Sequence, residues 1–186
     1  ALIGGVIFNL SNILLSASVS IAGMSVAFPL GVGLALVLGV FINYFTAPQG
    51  SPVFLFLGVL LVIVAIVFNA WAYKNMGKDG EQQKTKGIVI AIVAGIMMSF
   101  FFRFIASSMD LQNFECPEVG KMTPYTAMVI FSIGIFTSNF IFNTAAMRRP
   151  FVGTPTSYED YFAGSFRLHA VAVSYTHLRA HETLAN

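Results

Sequence analysis

The chain has 186 residues, 56% hydrophobic and 10% charged. An average soluble domain carries about 25% charged residues; a chain this poor in charge lacks the solvated side chains to cover a globular core, which excludes a soluble enzyme. A net charge of +2, from 10 basic and 8 acidic side chains, excludes a nucleic-acid footprint.

Five membrane spans are predicted in chain order, each near the roughly 20 apolar residues a spanning helix needs. The first covers 2–20 and is broken at Ala22-Gly23. The second covers 24–45 with Pro29 in its first turns, and ends at a Pro- and Gly-rich turn, 46–52. The third covers 53–73 and leads into the charged loop 74–86. The fourth covers 87–109, followed by the acidic loop 110–123, after which Pro124 suits the next helix start. The fifth covers 125–147 and stops at Arg148-Arg149-Pro150. The expected fold class is therefore all-α, a polytopic helical membrane protein. The 19 Phe and 16 Gly fit it, with rings toward lipid and glycines at helix contacts.

Lysine and arginine in short loops set orientation. Loop 74–86 carries Lys74, Lys78, Lys84 and Lys86, and Arg148 and Arg149 flank the fifth span. Loop 110–123 carries only Lys121 beside Asp110, Glu115 and Glu118. Alternation then places 74–86 and 148 onward in the cytoplasm, and 46–52 and 110–123 outside.

Four spans have a distinctive face, whereas the third is apolar nearly all round and is expected to meet lipid. Gly5, Asn9, Asn12 and Ser16 line up on the first span. Gly31, Ala35, Gly39 and Asn43 step by four on the second, three small residues and an amide. Gly87, Ala91, Gly95, Ser99, Arg103 and Ser107 do the same on the fourth, and Ser132, Asn139 and Asn143 share a face on the fifth. Unpaired amides are costly in hydrocarbon, so these faces point into protein or a watery cavity. Plain interhelical hydrogen bonding and solute contact both explain them. Arg103 has two readings: it lines a cavity, or its side chain runs to the interface.

All eight acidic residues lie outside the spans, so no buried carboxylate offers a proton site. No nucleophile elbow, P-loop or helix-borne His pair suggests an enzyme, and no cofactor is expected. Cys116, the single cysteine, supplies neither a disulfide framework nor a metal cluster.

The sequence opens at Ala1 inside an apolar run, with no basic region of a signal peptide before it. It is expected to be a fragment. Composition changes after Val171, and 173–185, VSYTHLRAHETLA, closely resembles a translated sequencing-adapter peptide. Residues 172–186 are therefore read as a non-native tail. His177 and His181, spaced by four, are set aside with it rather than read as zinc ligands.

Gly4-Gly5, Asn12, Gly23-Met24-Ser25-Val26, Gly39 and Asn43-Tyr44-Phe45 fall in register without a gap. Through them the first 45 residues resemble the ureide permeases and, more loosely, the bacterial glucose/ribose porters. Both belong to the drug/metabolite transporter superfamily. Arg149-Pro150, Gly153-Thr-Pro155 and Tyr158 are similar to the loop that ureide permeases carry after the matching span. The likeness runs unevenly over about residues 1–168. Where plant ureide permeases have an acidic residue, this chain has Ala27-Phe28-Pro29, which departs from proton coupling and ureide specificity and points to a bacterial branch.

The resemblance implies ten helices in two inverted five-helix halves around a central cavity, with alternating access. On that map these spans are helices three to seven. Residues 1–73 end the first repeat and 87–147 open the second, joined by 74–86 and followed by loop 148–171. The implied protein is a permease of the cytoplasmic membrane for a small polar solute such as a sugar or ureide. Asn9, Asn12, Ser16, Asn43, Asn139 and Asn143 would bind it, Arg103 would meet a carbonyl or carboxylate, and Tyr44 would stack or gate. Gly31, Ala35, Gly39, Gly87, Ala91 and Gly95 would pack helices, and Pro29 would let the second span bend. Any coupling ion would bind in the missing part, and the oligomeric state stays open. Drug efflux within the superfamily and a non-transporting accessory subunit are the alternatives.

Overall fold

A computed structural model describes residues 1–46, 48, 50–74, 81–110, 113, 116–167, 170, 171 and 174. Lys78, Glu115, His177 and His181 lie outside the described residues, as does nearly all of the tail 172–186; the side chains of Lys74 and Lys84 do too.

Among the described residues the fold is all-helical. Five long apolar helices follow one another: α1 Leu2–Ala22, α2 Met24–Thr46, α3 Pro52–Lys74, α4 Glu81–Ala106 and α5 Pro124–Arg148. Each has a stretch long and apolar enough to cross a bilayer. The protein is thus a multi-pass membrane protein. A short α6, Tyr158–Ala163, comes later.

The starts and ends of four of these helices fall within two residues of the sequence reading, and α4 differs. It begins at Glu81, inside the charged loop, because 81–86 are mainly long polar side chains that favour helix outside a membrane. It ends at Ala106 rather than Met109. The Ser107 and Ser108 hydroxyls there donate to the Phe104 and Ile105 carbonyls, drawing the chain out of the helix. An isolated bridge, Met109 to Met122, then ties the two ends of the connecting loop together.

Two compact units divide the chain, Ala1–Thr144 and Ala145–Asn186. In the first, helix directions follow from which glycines meet which neighbours. Gly4 lies against Phe101 and Ile105 while Gly87 lies against Ala22, so α1 and α4 are antiparallel. Gly31 meets Ala91 and Gly95 while Gly39 faces Ser99, so α2 and α4 are parallel. Gly5 meets Gly134 while Asn9 bonds Ser138, so α1 and α5 are parallel. Successive helices therefore alternate in direction, as consecutive membrane crossings must.

The reversal from α1 to α2 takes one residue. Gly23 has φ 85° and ψ 153°, a region open essentially to glycine alone. Its N–H donates to the Val19 carbonyl at 2.9 Å, and its own carbonyl accepts from Ala27 N at 3.0 Å. Leu15 and Gly31, each eight residues from this turn, touch across the hairpin.

The core of the first unit is narrow. Ile105, Ala127 and Phe131 are buried, with Phe8 and Phe101 packed on them. The rings of Phe8, Phe101 and Phe131 form a triangle with centroids 4.9, 5.4 and 6.0 Å apart. The α3 helix is outermost, set against α2 through Ile66 on Gly33 and Phe56 against Tyr44. Most of its large side chains, Phe54 and Leu61 among them, are exposed, as a lipid-facing helix requires.

In the second unit, the Thr156 N–H donates to the Met147 carbonyl at 3.1 Å. Ser157 and Asp160 form a reciprocal cap on α6: the Ser157 N–H and hydroxyl donate to Asp160 Oδ2, and the Asp160 N–H donates to Ser157 Oγ.

Candidate functional site

Small residues decide where α2 and α4 touch and where they part. A Cβ on Gly95 would sit 2.5 Å from the Gly31 carbonyl oxygen, so the backbones meet there with no room for a methyl group. Two turns on, a Cβ on Gly39 would reach nothing nearer than the Ser99 carbonyl oxygen at 3.8 Å. The helices splay between these levels. The splay, closed on one side by Leu55 of α3, makes a cleft of about 550 Å³. That lies within the range of small-molecule pockets, about 300–1,000 Å³.

Polar groups gather at the mouth. Asn43 donates one amide hydrogen to the Gly39 carbonyl at 2.7 Å, which leaves its carbonyl oxygen and second hydrogen for another partner. Tyr44 is held edge-on by Phe56, ring centroids 5.4 Å apart. The hydroxyls of Thr46 and Ser99 donate to the carbonyls of Ile42 and Ile96 in their own helices. Arg103, one turn beyond Ser99, carries the single formal charge in the described lining. Its carbonyl accepts from the Ser107 N–H at 3.0 Å, while its guanidinium has no hydrogen-bond or ion-pair partner among the described residues. The deeper walls, Val32, Ala35 and Leu36, are apolar.

A second hollow of about 440 Å³ adjoins Arg103 on the loop side, beside Asp110, Glu118 and Lys121. Its charges are largely engaged. The Asp110 carboxylate accepts from the backbone N–H groups of Asn113 and Glu118, at 3.1 and 3.2 Å. Lys121 Nζ donates to the Ser107 carbonyl at 2.8 Å.

The structure brings together three of the sequence-predicted solute residues: Asn43, Tyr44 and Arg103. Asn9 lies elsewhere, 7% exposed in the α1–α5 contact, where its amide donates to Ser138 Oγ at 2.9 Å. Asn12 donates to the Phe8 carbonyl at 3.1 Å, and Ser16 is exposed on α1. Asn143 donates to Asn139 Oδ1 at 3.0 Å, both exposed on α5. Of the small residues, Gly31, Ala35, Gly87, Ala91 and Gly95 are buried, and Gly39 borders the cleft.

Sequence reasoning passed over Ser18 and Ser138. Ser18 is fully buried and donates to the Gly87 carbonyl at 2.6 Å, pinning α1 to α4. Its signal was the pairing of a serine with a glycine on the facing helix. Met98, Phe102 and Leu55 in the cleft wall carry no signal beyond being apolar. Among the described residues no three His, Cys, Asp or Glu side chains gather as metal ligands. No protein-family model, no curated protein and no solved structure matches this chain.

Proposed function

We propose that this membrane protein is a secondary transporter, a permease that carries a small polar metabolite across the cytoplasmic membrane by alternating access. The observation that carries the proposal is the splay of α2 from α4. A glycine-to-glycine contact at Gly31 and Gly95 acts as a fulcrum, and a cleft of ligand size opens beyond it. Rocking about that contact would open and close the cleft without breaking a hydrogen bond between the two helices. The resemblance to the drug/metabolite transporter superfamily supports the same reading, with the described spans serving as part of a ten-helix, inverted-repeat carrier in a bacterial inner membrane.

Asn43 and Tyr44 contact solute in this mechanism, and Arg103 guards the mouth. Efflux of apolar compounds is the second reading, favoured by the apolar deep wall of Val32, Ala35, Leu36 and Met98. Uptake into proteoliposomes holding the full protein tests both. Gly39→Leu would fill the cleft from a position with space for it, and is expected to abolish saturable uptake of labelled sugars or ureides. Uptake unchanged in Gly39→Leu would remove the cleft from the path. Export of a lipophilic dye with no sugar or ureide uptake would select the efflux reading.

A further inference from the structure

We propose that the cleft recognises an amphipathic organic anion, a small carboxylate with an apolar body, and that Arg103 binds its head. The inference rests on the carrier reading of the same cleft and names its substrate class.

Charge comes first. Arg103 is the one charged residue of the described lining, and no carboxylate lines the cleft with it. A guanidinium offers five donors and no acceptor, and its best partner is a planar carboxylate taken through two parallel bonds. Of the acidic groups that share the adjoining hollow, Asp110 and Glu118, Asp110 has its carboxylate on the backbone N–H groups of Asn113 and Glu118. Arg103 is exposed in the last turn of α4, so its guanidinium is accessible to an anion arriving from outside the bilayer.

Depth comes second. Asn43 and Arg103 each lie three residues before the ends of their helices, Thr46 and Ala106, or about 4.5 Å at 1.5 Å per residue. They stand at one level, at the mouth. Past them toward the fulcrum the cleft is bounded by Val32, Ala35 and Leu36. A ligand that fits has its charge at the mouth and its apolar part inward. A sugar, polar all round, would leave hydroxyls unpaired against that deep wall. Ser99 and Thr46 offer it only acceptor oxygens, since their hydrogens are held by their own helices.

Equilibrium binding to the full chain in lipid nanodiscs tests this, with radiolabelled hexanoate and benzoate set against hexanamide, benzamide and glucose. Saturable hexanoate or benzoate binding is expected. Arg103→Gln should weaken it about tenfold or more, Arg103→Lys should restore part of it, and the lipid-facing Gly58→Ala should leave it unchanged. Should Arg103→Gln fail to fold, Gly39→Leu serves in its place and should abolish hexanoate binding. Preference for hexanamide or glucose, indifferent to Arg103→Gln, overturns the anion inference and leaves the carrier standing. Binding of neither class, with no uptake into proteoliposomes, overturns the carrier reading and this inference together.

Discussion

Asn9 and Asn43 are the same side chain on similar small-residue faces, and they do different work. Asn9 donates across the α1–α5 contact to Ser138. Asn43 donates to its own helix at Gly39 and keeps its remaining polar atoms for the cleft. A double-mutant cycle on Asn9→Ala and Ser138→Ala should therefore show a coupling of about 0.6 kcal/mol, at most about 1.7, in unfolding from mixed micelles. Zero coupling would remove that bond from the fold's support. The contrast also shows why the candidate site was only partly legible from sequence. A helical amide has a carbonyl four residues back within reach, as Asn12 uses at Phe8. A line of amides therefore marks a special face without requiring that such faces converge. Asp160 provides a second measurement at this scale. The Ser157 N–H and hydroxyl hold its carboxyl below the usual carboxylate range. The folded value is below the unfolded one, so the cap is fully present above the ordinary carboxylate pKa. It is lost as pH falls through the depressed folded value. NMR titration of the Asp160 carboxyl should give a depressed midpoint that returns to normal in Ser157→Ala; an ordinary midpoint in the native protein would contradict the cap.

Helix lengths were readable because bilayer thickness fixes them, and boundaries held except at Glu81, where polar helix formers carry α4 beyond the apolar run, and at Ser107, where hydroxyls compete for backbone carbonyls. The four-residue steps also marked the faces on which α2 and α4 meet. They did not show that the contact is tight at one level and open at another, because glycine reads alike in both. Substitution separates the two cases. At Gly95 a methyl group would run into the Gly31 carbonyl and force α2 from α4. Gly95→Ala is expected to destabilise by about 1–3 kcal/mol. Gly39→Ala should be neutral or stabilising by up to about 1 kcal/mol, because the space exists and alanine is the better helix former. Denaturant unfolding of the two variants checks the pair, and equal effects would argue against a splay.

For the whole molecule, alternating helix directions divide the loops between two sides. Loop 107–123, with Cys116 exposed on it, belongs with the turn after α2; the connections after α1 and α3 belong to the other side. By the positive-inside rule, Lys74, Lys84 and Lys86 on the second side make that side the expected cytoplasmic one. Cys116 is the single cysteine of these 186 residues, so this chain carries its own orientation probe. A membrane-impermeant maleimide added to intact cells should label it without permeabilisation. Labelling only after permeabilisation would reverse the assignment.

The Gly23 reversal has a consequence for how the chain is made. Residues 1–73 contain no Asp, Glu, Lys, Arg or His, so the α1–α2 hairpin holds no charge of its own to orient it. A one-residue turn also leaves no polar loop for the insertion machinery to hold back or pass across. Within residues 1–73 the hairpin therefore carries no orientation signal of its own: its sense in the bilayer is set by the segments around it, and the nearest positive charge in this sequence is Lys74, behind α3.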